Sequence, residues 1–327
     1  MEVDQGPIYT KGRSFRARAE ARQRAYRAAE LRAGCSTWGH WLDDAAASAG
    51  ANFVVPEAFE AVRGRMAQGK GVDPRRTLTN MLSSQAMCFN VFTPLALDSD
   101  LAFRILRRFV PCLSSVRSVA FEHTPAKDIF NDQSGRGGVD CDVLVECEFG
   151  DGVATVLTLE TKFVEEEFSS CGFRKPGRQA KGQRVCPRDV KLTGDFSGCL
   201  YTSAKGYRYW QRTQELGNLQ VHALPSTGCP FGGPLWQLWV NHTLAGAEAG
   251  RRASTRFAFG VCAPAGNDAL LDGGRVLADF RSHLTDPSSL VFADLDSVIG
   301  AIREECDGRT AWHDRWYRGL AGRYAAI

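Results

Sequence analysis

One short segment brings together side chains that could hydrolyse a phosphate ester. Residues 138–163 read as two apolar stretches joined by Gly150-Asp151-Gly152. Asp142 lies in the first stretch, and the second ends on Glu160-Thr161-Lys162. Two carboxylates and the backbone carbonyl of Thr161 suit Mg²⁺ or Mn²⁺, which prefer hard oxygen ligands. The ammonium group of Lys162 adds positive charge next to them. These residue types predict metal-assisted cleavage of a phosphodiester.

The two stretches must form a hairpin if these groups are to meet. A turn centred on Asp151 pairs residues whose numbers sum to 302, so Asp142 faces Glu160 and Asp140 faces Lys162. Directly opposed Cβ atoms lie about 4.5–5.5 Å apart, where two carboxylates repel each other unless a cation lies between them. The alternative is a solvated sheet edge with an Asp140–Lys162 ion pair.

The rest of the chain predicts helices around this hairpin. Residues 11–33 indicate a solvated basic helix, and 75–95 indicate an apolar helix stopped by Pro94. Further predicted helices cover 101–109, 206–216, 233–247, 291–305 and 312–324, and predicted strands cover 115–121 and 256–263. Residues 165–167, three consecutive glutamates, are read as a solvated helix start. We divide the chain into an N-terminal helical extension, 1–74, and a larger domain, 75–327.

The composition favours a cytoplasmic protein. Hydrophobic residues make up 44% and charged residues 24%, and the net charge of +3 does not by itself indicate a nucleic-acid partner. The N-terminus lacks the apolar core of a signal peptide, and no run is apolar enough for a membrane helix. The eleven scattered cysteines are typical of reduced thiols.

Four of these cysteines could in principle bind zinc. Cys171, Cys186, Cys199 and Cys229 are separated by 15, 13 and 30 residues. These spacings match no compact finger, so buried small side chains are the expected interpretation.

A cluster of cations follows the hairpin. Residues 171–192 contain seven lysines and arginines against one acid. Arg174, Lys175, Arg178 and Lys181 are the members that we expect to contact nucleic-acid phosphates. A solvated insertion is the alternative.

The hairpin residues resemble the PD-(D/E)xK nuclease superfamily. The order SSQAMCFNVFTPL, FEHTP, the hairpin and then CPFGGPLWQLWVNHTLA is similar to a bacterial family of restriction-endonuclease-like proteins, over residues 78–263. The resemblance implies an α/β fold, a mixed central β-sheet flanked by helices, with the N-terminal helical extension outside it. Cys141 stands where the family name has proline, so the match departs from the literal motif there.

The resemblance also implies roles for single residues. Asp142 is the motif aspartate, Glu160 the second ligand of Mg²⁺ or Mn²⁺, and Lys162 the catalytic lysine. Glu122 in FEHTP is the candidate upstream acid, with a solvated glutamate as the alternative. Gln237 matches a glutamine that many such nucleases carry on a later helix, with Asn241 one turn further on; a buried amide satisfied by the backbone is the alternative. Gln85 and Ser84 are weaker candidates on the early helix.

These observations predict a Mg²⁺-dependent DNA endonuclease. A non-catalytic nucleic-acid-binding protein of the same fold and an RNA-directed nuclease are the rivals. Homodimer formation is left open. The six histidines show no metal-binding spacing, and no nucleotide-binding glycine motif occurs.

Overall fold

A mixed β-sheet organises the molecule. The computed structural model describes residues 4–69, 71–132, 139–150, 152–174, 185–192, 194, 196–225 and 227–327. In these residues the sheet has the order β1-β2-β3-β4-β5, with strands Leu113–His123, Cys141–Phe149, Ala154–Thr161, Ala258–Ala263 and Leu290–Asp294. Strand β2 is antiparallel to both β1 and β3, whereas β3, β4 and β5 run parallel to one another. The predicted mixed central sheet is therefore confirmed.

Helices cover both faces of the sheet. Those that precede β2 are α1 Phe15–Tyr26, α2 Asp44–Ser48, α3 Pro56–Ala67, α4 Pro74–Thr79, α5 Ser84–Leu97, α6 Ser99–Leu106 and α7 Lys127–Phe130. Those that follow β3 are α8 Leu200–Ser203, α9 Tyr209–Leu216, α10 Leu235–Gly250, α11 Asp268–Leu271, α12 Arg275–Ser282, α13 Leu295–Cys306 and α14 Ala311–Tyr324. None of the helices in the described residues is both long and apolar enough to cross a membrane.

The hairpin has the predicted register. Val143 pairs with Leu159 and Glu148 with Ala154, so paired residue numbers sum to 302 along β2 and β3. Asp151 lies outside the described residues, and Gly152 next to it has a φ of +72°. Only glycine adopts this conformation without a steric cost, which explains its place in the turn.

Strand alternation separates two cores. Leu157 and Leu159 of β3 join the core formed with α3, α5, α6, α13 and α14. Val156 of β3 and Leu144 of β2 join the other core, with α9, α10 and α12. Because side chains alternate across a strand, Glu160 falls on the α10 face of the sheet.

Pro94 does not stop its helix as predicted. Residues 75–95 instead divide into α4 and α5, and α5 continues through Pro94 to Leu97. A proline removes the N–H that would bond the carbonyl four residues earlier, here that of Asn90. The indole Nε1 of buried Trp316 donates to this carbonyl at 2.9 Å, so α14 supplies the missing hydrogen bond.

Two further elements differ from the predictions. The segment from residue 290 begins as strand β5, because Asp294 caps α13 by accepting from Ser297 N and so places the helix start at Leu295. The N-terminal helix is not simply solvated, because Glu20 and Gln23 of α1 are buried.

The division at residue 74 stays a prediction. Phe15 and Phe53 share one core with strands β2 and β3. The side chain of Gln23 bonds Arg323 of α14 in both directions, at 2.7 and 3.0 Å.

Candidate active site

Hydrogen bonds to Asp142 connect the start of β2 to the end of β3. Its Oδ2 accepts hydrogen bonds from the backbone N of Thr161 at 2.7 Å and from Thr161 Oγ1 at 2.6 Å. The hairpin register brings these residues together, as the sequence predicts. Thr161 contacts Asp142 through its amide and hydroxyl, and the predicted role of its carbonyl in metal binding remains a prediction.

Lys162 lies against Glu160. Its Nζ is 2.8 Å from Glu160 Oε1, and its side chain is 11% exposed. The backbone N of Lys162 donates to Cys262 O in β4 at 2.9 Å, which fixes the lysine just past the strand end. The alternative ion pair with Asp140 is wrong, because Asp140 precedes β2 and the lysine pairs with the glutamate.

Helix α10 holds Glu160 from the other side. Gln237 Nε2 donates to Glu160 Oε1 and Asn241 Nδ2 donates to Oε2, each at 2.7 Å. The two amides are four residues apart and so lie on one face of the helix. Gln237 is itself oriented by Ser169, whose backbone N donates to its Oε1 at 2.9 Å. Gln237 therefore lies where the sequence predicts, and its partner is a carboxylate.

Glu122, at the end of β1, also faces the site. Its side chain is buried and accepts at Oε1 from Gln85 Nε2 at 2.7 Å. The residue has a φ of +50°, an unfavourable conformation for a non-glycine residue, and its carbonyl accepts from the Arg65 guanidinium. A Cβ on Gly71 would lie 2.6 Å from the Glu122 Cβ, so only glycine permits this approach. The solvated alternative for Glu122 is wrong.

A fourth carboxylate, Glu165, lies beside these residues. Its Oε1 accepts from Ser84 Oγ at 2.7 Å and from Arg76 Nη2 at 3.0 Å. Its Oε2 accepts from the backbone N of Phe163 at 2.7 Å. No helix begins here, so the predicted helix start is wrong, and of the three glutamates only Glu166 and Glu167 are exposed as predicted. Buried Phe163 and Val164 draw the chain inward, which is the sequence signal for this placement.

Burial and mutual repulsion govern the charges of the carboxylates. Burial, reinforced by Asp142, raises the pKa of Glu122 to about 8 and that of Glu160 to about 7. Burial also raises the pKa of Asp142, although Lys162 and Thr161 oppose it. For Lys162 burial favours the neutral form, but Glu160, Glu165 and Asp142 outweigh it and raise its pKa. Lys162 thus stays protonated, but its single positive charge does not compensate the buried carboxylates around it.

This donor set fits a hard divalent cation. Asp142, Glu160 and Glu122 supply carboxylate oxygens, and a cation would offset the burial and the repulsion that together raise their pKa values. As the side chains stand, no three His, Cys, Asp or Glu residues in the described part of the chain converge as ready metal ligands. At this site Lys162, Gln237 and Asn241 contact the two carboxylate oxygens of Glu160. Cation binding would require Lys162 to turn away.

The structure describes only part of the predicted phosphate-binding cluster. Arg174 is half-buried, and its Nη1 donates to the carbonyl of Pro187 at 3.2 Å. Lys175, Arg178 and Lys181 lie outside the described residues. Their contact with nucleic acid stays a prediction.

Sequence reasoning also missed Asn267. This buried side chain follows β4, and its Nδ2 donates to the carbonyls of Phe163 at 3.1 Å and Glu165 at 2.9 Å. It therefore fixes the path of the chain just after Lys162. An isolated asparagine about a hundred residues downstream carries no sequence signal for this role.

The comparison with known protein families agrees with the geometry of the site. A family model described as the PD-(D/E)XK nuclease superfamily matches residues 10–192. No curated protein and no solved structure matches the chain.

Proposed function

Because the chain belongs to the PD-(D/E)XK nuclease superfamily, we propose that it is a Mg²⁺-dependent endonuclease acting on DNA. One observation carries the proposal. The buried ammonium group of Lys162 lies 2.8 Å from Glu160, beside Asp142, at the edge where β2 begins and β3 ends. A protein that only bound nucleic acid would gain nothing from burying a lysine among several carboxylates, where desolvation opposes every charge.

Asp142, Glu160 and Glu122 would hold the cation, Mg²⁺ or Mn²⁺. When bound, such a cation lowers the pKa of a coordinated water and stabilises charge on a phosphate. Glu160 needs support to keep its orientation during turnover, and Gln237 and Asn241 supply it with two hydrogen bonds from a rigid helix.

Lys162 has a role of its own in this proposal. Once displaced from Glu160, its Nζ would hold the attacking water or a non-bridging phosphate oxygen and neutralise developing charge. Its raised pKa keeps it protonated at neutral pH, which suits electrostatic stabilisation rather than proton abstraction. The Thr161 bonds to Asp142 keep the lysine and the aspartate in fixed register.

The proposed substrate and the proposed cellular location rest on the sequence. The cations of residues 174–191 favour a polyanion, and DNA is the substrate that we propose. We further propose a cytoplasmic location, in line with eleven free cysteines, and leave homodimer formation open.

A cleavage panel tests the function and its rivals. Purified protein is incubated with supercoiled plasmid, single-stranded DNA and RNA, each with Mg²⁺, Mn²⁺ or EDTA. We expect plasmid nicking that requires the metal and that Lys162→Ala abolishes. Lys205→Ala, which removes an exposed lysine, serves as the matched control. Cleavage of RNA alone would replace DNA as the substrate, and metal-independent binding without cleavage of any substrate would favour the non-catalytic rival.

A further inference from the structure

Four cysteines that are far apart in sequence surround one small cavity. Cys171, Cys186, Cys199 and Cys229 all line a space of about 20 Å³. The remaining lining is mainly apolar and includes Phe173, Leu200, Tyr201 and Trp236. A space of this size accommodates one small atom or ion. All four cysteines are free thiols.

Two of the cysteines lie in turns of the same construction. The carbonyl of Cys171 accepts from Arg174 N at 2.9 Å, and that of Cys229 accepts from Gly232 N at 3.2 Å. In each turn the backbone N–H groups that follow the cysteine act to lower the pKa of its thiol, those of Phe173 and Arg174 for Cys171 and that of Phe231 for Cys229. N–H groups directed at sulfur stabilise a thiolate, the form in which cysteine binds a metal.

The other two cysteines are fixed beside these turns. The backbone N of Cys186 donates to the carbonyl of Phe173 at 2.9 Å, which places it against the first turn. The backbone N of Cys199 donates to Phe196 O at 3.0 Å, immediately before α8. The four sulfurs thus come from four separate chain segments, which is why their spacing matches no compact zinc motif.

We propose that Cys171, Cys186, Cys199 and Cys229 bind one Zn²⁺ as a structural site. Four thiolates around a tetrahedral ion form a closed structural zinc site. The sulfurs do not yet converge as ready ligands, so side-chain rotation into the cavity must accompany binding. This site is separate from the carboxylates that would hold the catalytic cation.

The charge state of the thiols argues against reactive cysteines. Burial raises the pKa of Cys171 to about 11 and that of Cys229 to about 12, despite the N–H groups directed at them. Without a cation these thiols are neutral and poor nucleophiles at physiological pH. A bound Zn²⁺ would deprotonate them and release protons.

The site would support both the cationic segment and Glu160. Cys171 and Cys186 flank Lys175, Arg178 and Lys181 in the sequence, so the ion would hold together the described residues on either side of these cations. Ser169, two residues before Cys171, holds Gln237, which in turn holds Glu160. Zinc binding would therefore stiffen one side of the candidate active site.

Metal analysis of the full chain tests the proposal. Protein expressed with zinc and purified without chelator is analysed by elemental mass spectrometry, and we expect about one Zn²⁺ per chain. Cys171→Ser and Cys229→Ser should each lose most of it, whereas Cys112→Ser, which alters an exposed thiol, should keep it. Asp142→Asn should also keep it, since the carboxylate site is independent of the thiols.

If a serine variant fails to fold, replacing Zn²⁺ by Co²⁺ in the unmutated protein provides an independent test. The unmutated protein should then show thiolate-to-cobalt charge-transfer bands and the strong visible bands of a tetrahedral site. Unmutated protein that lacks zinc and shows no such bands would overturn the proposal. Unchanged zinc in a folded Cys229→Ser variant, or recovery of the four cysteines as two disulfides, would overturn it as well.

Discussion

Burial and negative charge conflict most directly at Glu122 and Glu160. Both side chains are about 5% exposed or less, and each lies within the field of Asp142. Water cannot screen the repulsion at this depth, so protonation is the way to relieve it in the absence of a cation. The residues are therefore arranged for a partner of higher positive charge than Lys162 alone supplies.

Replacing Glu122 by glutamine tests this conflict through stability. The pKa of Glu122 is about 8 in the folded chain, against an ordinary value of 4.5. Between these two pH values the folded chain therefore keeps a proton on Glu122 that the unfolded chain has lost. The contribution of Glu122 to the free energy of unfolding is thus present in full below about pH 4.5 and is lost as pH rises toward 8. Glu122→Gln keeps an acceptor for Gln85 and removes the charge. In EDTA we expect its free energy of unfolding to exceed that of the unmutated protein by about 1–3 kcal/mol near pH 8.5, and by little near pH 5.

Urea unfolding at both pH values measures the difference. Excess Mg²⁺ should narrow the gap at high pH, because the unmutated site then gains a ligand that the variant binds less well. A gap that does not depend on pH would show that Glu122 is ionised without penalty and that the site lacks the proposed charge conflict.

At the scale of elements, α10 and the β2–β3 hairpin act as one support. Helix α10 packs on β3 and presents Gln237 and Asn241 to the two oxygens of Glu160. On the opposite face of the sheet, α5 supplies Gln85 to Glu122 and Ser84 to Glu165. The carboxylates are thus held by helices from both layers.

Asn241→Ala tests the support from α10. Loss of its hydrogen bond should let Glu160 rotate and should lower kcat about 10–100-fold, as is usual when a residue that orients a metal ligand is removed. Thr243→Ala is the matched control, because this buried hydroxyl on the same helix bonds Thr213 and Asn218 instead. Both variants should lose similar stability. Equal cleavage rates in the two would show that α10 serves packing alone.

The sequence predicts the local part of this arrangement and misses the long-range part. The register of the hairpin follows from strand alternation and a centred turn, so Asp142, Glu160 and Lys162 could be placed together from residue numbers alone. Gln237 followed from the resemblance to a family. Glu165 and Asn267 could not be predicted, because their roles depend on where separate loops pack. The continuation of α5 through Pro94 likewise depends on Trp316, more than two hundred residues away.

At the scale of the whole molecule, the question is how a nearly neutral protein would hold a polyanion. The net charge is only +3, so binding must depend on local clusters rather than on the overall field. The cations of residues 174–191, seven against one acid, form such a cluster. Arg174 is already bonded to the carbonyl of Pro187, which leaves the other members as the better test.

Neutralising Lys175, Arg178 and Lys181 together should weaken DNA binding and flatten its salt dependence. Each phosphate contact that is lost removes about one unit from the slope of log affinity against log salt. Fluorescence anisotropy in EDTA, which prevents cleavage, measures the slope at several salt concentrations. Neutralising Arg63, Arg275 and Arg315, which are exposed elsewhere, is the control. An unchanged slope in the variant that lacks Lys175, Arg178 and Lys181 would exclude these three cations from the interface.

The central claim is that Asp142 with Glu160 and Lys162 forms a metal-dependent nuclease site. It is tested most directly by a comparison of Asp142 with Asp140, two residues earlier in the sequence. Asp142→Asn should abolish Mg²⁺-dependent nicking of supercoiled plasmid, because Asp142 bonds Thr161 within the hairpin and is a proposed metal ligand. Asp140→Asn, two residues earlier and before β2, should retain most of the activity. Both proteins must first show the same circular dichroism spectrum as the unmutated protein. Full activity in Asp142→Asn, or equal loss in the two variants, would contradict the account.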